Sequence, residues 1–353
     1  MGKEVRKKGK AGYTLIIVFL VVTVFALGFA VGMITLHIKD QEKIDAITAD
    51  YKEEISRLEE ETKDEITYIQ IPERKRVYGK IPVNSFILEN FVLEDGFMAY
   101  YDETGKKISH LGVDLSYHQQ HVNWDELEKA VDFVILRCGY RGYSEGGLVE
   151  DEKFREYASE CNRRGIPLGV YFYTQSITVE EAVAEAEFVL KLIEGFDISY
   201  PVAYDTEYVS DASARTRVTE ISKDLRADMA KAFCDRIKAE GYYPMVYASE
   251  NWMRRELNLE TLQEYDFWAP QYLEKNDFMF DFTIWQYTDA GFIPGISTEV
   301  DLDISMVDYA SFVPQIRAAF LEDKIRMIQP SEDSVVIQDD EQSAETADSL
   351  AEE

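Results

Sequence analysis

Tyr200-Pro-Val-Ala-Tyr-Asp-Thr-Glu-Tyr208 begins as a short apolar run and ends in two carboxylates, Asp205 and Glu207, one residue apart. In an extended strand alternate side chains share a face, so positions i and i+2 project together, about 6–7 Å apart. Two acids side by side at the end of a buried strand lose hydration and repel each other. Chains keep such pairs mainly where chemistry needs one acid protonated and its neighbour charged. Alone, the pair also suits a strand end dipping into solvent. The surrounding sequence decides between the two.

Around that stretch, residues 111–310 alternate strand and helix. Strand patterns fall at Leu111–Tyr117, Asp132–Gly139, Pro167–Thr174, Pro201–Tyr208 and Pro244–Ser249. Helix patterns lie between them at Trp124–Ala130, Asp151–Arg164, Val179–Glu194 and Arg215–Glu240, with Gly165 and Gly241 placed as left-handed C-caps. Such alternation implies parallel strands joined by helical crossovers. After a fifth helix, Glu250–Leu257, three more strands (Phe267–Tyr272, Phe282–Thr288, Glu299–Ser305) follow with gaps too short for crossover helices. Eight strands with helices after the first five predict an α/β fold, a TIM-like (β/α)5β3 barrel over residues 111–328, sealed by a helix at Phe312–Ile328.

The flanks read differently. Residues 1–12 carry Lys3, Arg6, Lys7, Lys8 and Lys10, and Tyr13–Ile38 then runs without one Asp, Glu, Lys or Arg. That exceeds the roughly 20 residues a bilayer needs and the ~7–15 of a signal-peptide core. The expectation is a cytoplasmic basic tail (1–12) and a single transmembrane helix (13–38) in the cell membrane, with the remainder outside the cell. Cleavage near Ala26–Ala30 is the rival reading. Residues 39–80 read as a charged, helix-prone stalk and linker; Ile44, Ile47, Ile55, Leu58 and Ile66 recur in a roughly heptad but short and broken pattern, so a self-associating helical stalk and a solvated spacer both fit. Residues 81–110 read as a small β lead-in, a hairpin of Gly96–Tyr101 and Lys106–Ile108 turning at Asp102–Gly105. Residues 329–353 are acidic and should be disordered.

A net charge of -30 excludes nucleic acid as a partner, because a phosphate backbone would be repelled. Cys138, Cys161 and Cys234 have no metal or redox spacing, and His118 and His121 lie in a loop, so neither metal nor cofactor is implied. The 13% aromatic content suits carbohydrate platforms.

Functional side chains of such barrels sit at the C-terminal strand ends. That rule gathers Asp114, Arg137, Tyr171, Tyr173, Asp205, Glu207, Tyr247, Trp285 and Asp301 in one bowl, with Asp303 nearby. Carboxylates walled by rings are what glycoside hydrolysis needs. No histidine follows the Asp205-x-Glu207 strand to serve a nucleophilic triad.

Gly112-Val-Asp-Leu-Ser116, Asp132-Phe-Val-Ile-Leu-Arg137, Gly139-Tyr-Arg-Gly142, Gly169-Val-Tyr-Phe-Tyr173, Pro201–Glu207, Val246-Tyr-Ala-Ser249, Trp285-Gln-Tyr-Thr288 and Val300-Asp-Leu302 occur in one order. Over residues 111–306 the chain thereby resembles the lysozymes (muramidases) of glycoside hydrolase family 25. The resemblance implies cleavage of the β-1,4 bond between N-acetylmuramic acid and N-acetylglucosamine in peptidoglycan glycan strands. By it, Glu207 is the general acid and Asp205 stabilises the substrate's 2-acetamido group, whose oxygen attacks the anomeric carbon. Asp114 and Asp301 match two further pocket acids, while Arg137, Tyr171, Tyr173, Tyr247 and Trp285 are candidate substrate contacts. An inverting pair with water between the acids remains the alternative from spacing alone. A silent peptidoglycan-binding scaffold and a glycosidase of another N-acetylated glycan are the competing functions. Two departures stand out: Pro270 inside the sixth strand suggests an edge or bulge, and Asp303 makes the pocket more acidic.

Overall fold

A computed structural model describes residues 77–78, 81–273 and 276–328. The expected basic tail, membrane span, most of the stalk and the acidic tail lie outside the described residues. Among those described, no helix is long and apolar enough to cross a membrane.

Two short ladders come first, β1 (Val77–Tyr78) with β2 (Ile81–Pro82) and β3 (Phe91–Glu94) with β4 (Phe97–Tyr100). The barrel strands are β5 (His110–Leu115), β6 (Phe133–Arg141), β8 (Leu168–Tyr173), β9 (Val202–Asp205), β10 (Pro244–Tyr247), β11 (Asp266–Pro270), β12 (Ile284–Gly291) and β13 (Val300–Ser305). Pairing of β5 with β6 closes the sheet, and β7 (Leu148–Glu150) hangs antiparallel on the end of β6. Every pairing from β5 through β6 to β12 is parallel; only β13 runs against its two neighbours. The crossovers carry α1 (Trp124–Leu127), α2 (Phe154–Arg164), α3 (Val179–Ile193), α5 (Lys223–Lys238) and α6 (Glu250–Glu256), one after each of the first five strands. A short α4 (Arg215–Val218) precedes α5, and α7 (Val313–Ile328) follows the barrel. The single helix expected over Arg215–Glu240 is thus two, because Ser222 starts α5 by accepting the Leu225 N–H.

Strict alternation divides the apolar residues between two cores. Phe133, Ile135, Ala203, Met245, Tyr247, Trp268 and Ile284 point into the barrel, where Tyr309 and Phe312 close the bottom. Val113, Val134, Val170, Val202, Val246, Phe267, Trp285, Leu302 and Ile304 point outward into the layer between wall and helices. Gly112 makes room for the Phe133 ring, which a Cβ there would meet at 2.2 Å. Gly165 and Gly241 follow α2 and α5 at φ 70° and 75°, as their spacing predicts.

β11–β13 have no crossover helices, so their outer face needs another cover. The lead-in supplies it: Phe86 meets Phe282 at 5.2 Å and Phe91 meets Trp285 at 5.1 Å. The hairpin differs from the expected one by a phase. β4 pairs back to β3 through Asp95-Gly96, both at positive φ (51° and 90°), while Asp102–Gly105 forms a tight turn in which the Asp102 carboxylate accepts the Thr104 and Lys106 N–H groups, followed by the isolated Tyr101–Lys107 bridge. An Asp-Gly pair is the stronger hairpin signal because both of its residues accept φ > 0 at low cost. Pro270 is neither at an edge nor in a bulge. It ends β11, beyond Trp268, the last residue paired with β10, so no bond to that neighbour is lost.

Candidate active site

The parallel strands deliver their C-terminal ends to one mouth. β9 ends at Asp205, so Glu207 lies just past it, and the two acids do not share a strand as the i, i+2 argument supposed. What holds them is the backbone on either side. The Thr174 N–H donates to the Asp205 carbonyl (3.0 Å), and the Thr206 N–H to the Tyr247 carbonyl (3.1 Å). Thr206 is also fixed from its side chain, which accepts the Trp252 indole N–H at 3.0 Å. Thr174 in turn gives its hydroxyl to Glu185 (2.6 Å), which is buried in an ion pair with Arg141 at 2.6 Å. Arg141 and Glu185 therefore support the strand end from behind.

Glu207 and Asp205 both titrate above the ordinary carboxylate range. Burial pushes Glu207 up to about 7. Burial also raises Asp205, followed by the charges of Glu207 and Asp114, while Arg137 pulls it back. Of the two effects expected for the pair, lost hydration and mutual repulsion, desolvation is the cause at Glu207. Asp205 Oδ1 is buried without a hydrogen-bond partner.

Opposite, the antiparallel register sets Asp301 directly across from Asp114, with Asp303 on the same inward face. Burial raises Asp301 to about 9, with the Asp114 carboxyl adding to it. Asp114 is raised by burial and by Asp303. Gln286 organises this side. Its Oε1 accepts hydroxyls from Tyr247 (2.9 Å) and Tyr272 (2.8 Å), which leaves Nε2 to donate to Asp114 Oδ2 at 2.7 Å.

The candidate contacts divide. Tyr247 lies in the bowl, its ring edge-on to Trp268 at 4.7 Å. Tyr171 also meets Trp268, at 5.8 Å, and Tyr173 lines the mouth against Tyr143 at 5.9 Å. Arg137 faces inward, but its guanidinium is held by Asp151, with Nε and Nη2 both 2.8 Å from Oδ2. It contributes charge from the wall. Trp285 is not in the bowl. It is wholly buried on the outer face, under Phe91, with its indole N–H on the Gln271 carbonyl at 2.8 Å. The inward residue is its neighbour Gln286, which sequence reasoning passed over. The signal was present: Gln286 is the lone non-aromatic polar residue in Ile284-Trp-Gln-Tyr287, and a strand buried on both faces tolerates such a residue where partners await it. Exposed rings at Tyr143, Tyr208, Tyr272 and Phe292 rise on loops after β6, β9, β11 and β12.

Comparison with known proteins adds a family. The model of "Glycosyl hydrolases family 25" matches residues 113–296, more than half of the chain. The autolytic lysozyme of Clostridium acetobutylicum is 25% identical over 194 residues, 54% of this chain and 54% of that protein. The chain thus spans about half the length of this curated relative. Among solved structures, the modular autolysin LytC of Streptococcus pneumoniae in complex with synthetic peptidoglycan ligand is 25% identical at a TM-score of 0.49, covering 61% of this chain and 52% of that one. The bacterial lysozyme of Streptomyces coelicolor is 18% identical at 0.48, covering 59% and 97%. With its matched segment running from the first barrel strand to the β12–β13 connection, the chain belongs to glycosyl hydrolase family 25.

Proposed function

We propose that this protein is a muramidase that hydrolyses the β-1,4 bond between N-acetylmuramic acid and N-acetylglucosamine in peptidoglycan. One observation carries the reading: a half-buried Glu207 carboxyl that desolvation raises to about 7, beside a buried Asp205 whose Oδ1 has no donor. The autolytic lysozyme among its relatives supports peptidoglycan as the substrate. An acetamido N–H delivered to Asp205 Oδ1 supplies the missing donor and favours the charged carboxylate, which leaves the pair's proton on Glu207. Glu207 then gives that proton to the glycosidic oxygen as the bond to the anomeric carbon breaks, and the acetamido oxygen bonds to that carbon from the opposite face. Water attacks the anomeric carbon next, returning its proton to Glu207 and releasing the acetamido oxygen. Asp114 and Asp301 orient hydroxyls, and the tyrosines supply ring faces.

The full chain in detergent, and its Glu207→Gln variant, should be incubated with purified peptidoglycan and with chitin, and the new reducing ends identified. Reducing muramic acid ends are expected from the wild type, with the variant slower by about 10²–10⁴-fold. Binding without cleavage by either protein would mean a scaffold; new ends from chitin alone would mean another glycan.

We also propose that residues 13–38 anchor the protein in the cell membrane with the barrel outside, on the basic flank and uncharged run. Stalk self-association through Ile44, Ile47, Ile55 and Leu58 is part of the same proposal. Protease added to intact cells should remove the barrel. Protection of the barrel would reverse the orientation.

A further inference from the structure

Two tyrosines stand in water beside Glu207 and are nevertheless held in place. Tyr208 follows Glu207 directly and is 61% exposed; Tyr143, in the turn between β6 and β7, is 45% exposed. A single ring on a surface needs no explanation, but a braced pair at the edge of a site does. The Arg217 guanidinium lies 4.6 Å from the centre of the Tyr208 ring, and its Nη1 donates to the Val209 carbonyl at 3.2 Å. One face of the ring is thereby covered, and the exposure belongs to the other. Tyr143 is fixed at both ends. Its carbonyl accepts the Arg215 N–H at 2.8 Å, and its ring stands edge-on to Tyr173 at 5.9 Å. The turn that carries it is clamped too: the Gly146 carbonyl accepts Arg141 Nη1 at 2.7 Å, and a Cβ on Gly146 would meet the Arg215 guanidinium at 2.2 Å. Arg215 is itself paired with Glu181 at 2.6 Å. The short α4 therefore braces both rings, one through Arg215 and the other through Arg217.

The strand order gives these rings a side. Tyr173, against which Tyr143 rests, is level with Asp205 in the β8–β9 register, and Tyr208 continues from β9. Asp301 belongs to β13, which lies across the barrel from β9. A sugar held between Asp205 and the acids of β5 and β13 puts its scissile oxygen toward Glu207. What departs with that oxygen then passes over the rim formed by the β9 end and the β6–β7 turn. We propose that Tyr143 and Tyr208 are the platform for the leaving-side saccharide, whose apolar C–H faces lie on the free ring faces, with Arg215 and Arg217 as positioning residues. Rings already fixed in place lose little freedom when a sugar settles on them, so the contact is pre-organised.

The inference rests on the muramidase reading for its kinetic test, and a binding test separates the two. The full chain in detergent should be assayed on peptidoglycan and on a glycoside of N-acetylglucosaminyl-N-acetylmuramic acid whose leaving group is 4-methylumbelliferone in place of a sugar. Tyr143→Ala and Tyr208→Ala should each lower the ratio of kcat/KM on peptidoglycan to kcat/KM on the aryl glycoside by about five- to tenfold, through KM on peptidoglycan. Tyr208→Phe keeps the ring and should keep the wild-type ratio. A ratio taken on one sample is insensitive to any fraction that fails to fold. Co-sedimentation of the Glu207→Gln chain with insoluble peptidoglycan should weaken by a similar factor when Tyr208→Ala is added. Equal losses on the two substrates, or peptidoglycan binding indifferent to both tyrosines, overturns the proposal. If the wild type cleaves neither substrate, the muramidase reading fails while co-sedimentation still decides whether these rings hold the glycan.

Discussion

Glu207 owes its protonation to where β9 stops. Two residues beyond the strand its carboxyl is mostly removed from water, and burial carries it from 4.5 to about 7. A general acid must hold its proton, so kcat/KM should fall tenfold per unit as pH rises above about 7. A pH profile between 5 and 9 checks this; a limb near 4.5 would assign the proton to another group. At this scale the four acids were legible, because alternation and the strand-end rule need only sequence. Trp285 and Arg137 were not. Ile284-Trp-Gln-Tyr287 is buried on both faces, so apolar periodicity does not reveal which parity points inward. The partner of Arg137, Asp151, arrives only when β7 folds back on β6.

The element that most changes the reading is the β3–β4 hairpin. It lies outside the family-matched segment yet fills the place of the crossover helices that β11–β13 lack. Phe91 joins Tyr100 at 4.6 Å and Trp285 at 5.1 Å, so its truncation leaves a cavity over the barrel wall. Phe91→Ala should cost about 3 kcal/mol of stability. Because the hairpin packs on the outer face, kcat/KM should change by less than about threefold. Denaturant melts and kinetics on the same sample test both parts. Unchanged stability would make the hairpin an ornament, and a large kinetic loss would tie it to the site.

At the scale of the molecule, the barrel stores electrostatic strain at its mouth. Glu207 and Asp301 bind protons more tightly when folded, up to about 7 and about 9 against ordinary values of 4.5 and 3.8. The folded state therefore holds extra protons between those limits, and stability is lost as pH rises through the window. From about pH 5 the melting temperature should fall continuously toward pH 9. Asp301→Asn should flatten the fall between about 7 and 9, gaining on the order of 1–2 kcal/mol there. Thermal melts across that range check the slope; a flat profile would mean the acids are better solvated than their burial indicates.

The sequence by itself determined the eight barrel strands with helices after the first five, and the gathering of the four acids near the strand ends, because each follows from local periodicity and the direction of parallel strands. Tertiary structure decided the rest. Which of Trp285 and Gln286 faces the bowl, that Asp151 holds Arg137, and that burial sets the Glu207 pKa all depend on contacts between residues far apart in the chain. Desolvation and hydrogen-bond direction are properties of an enclosed space, and no stretch of sequence encloses one alone.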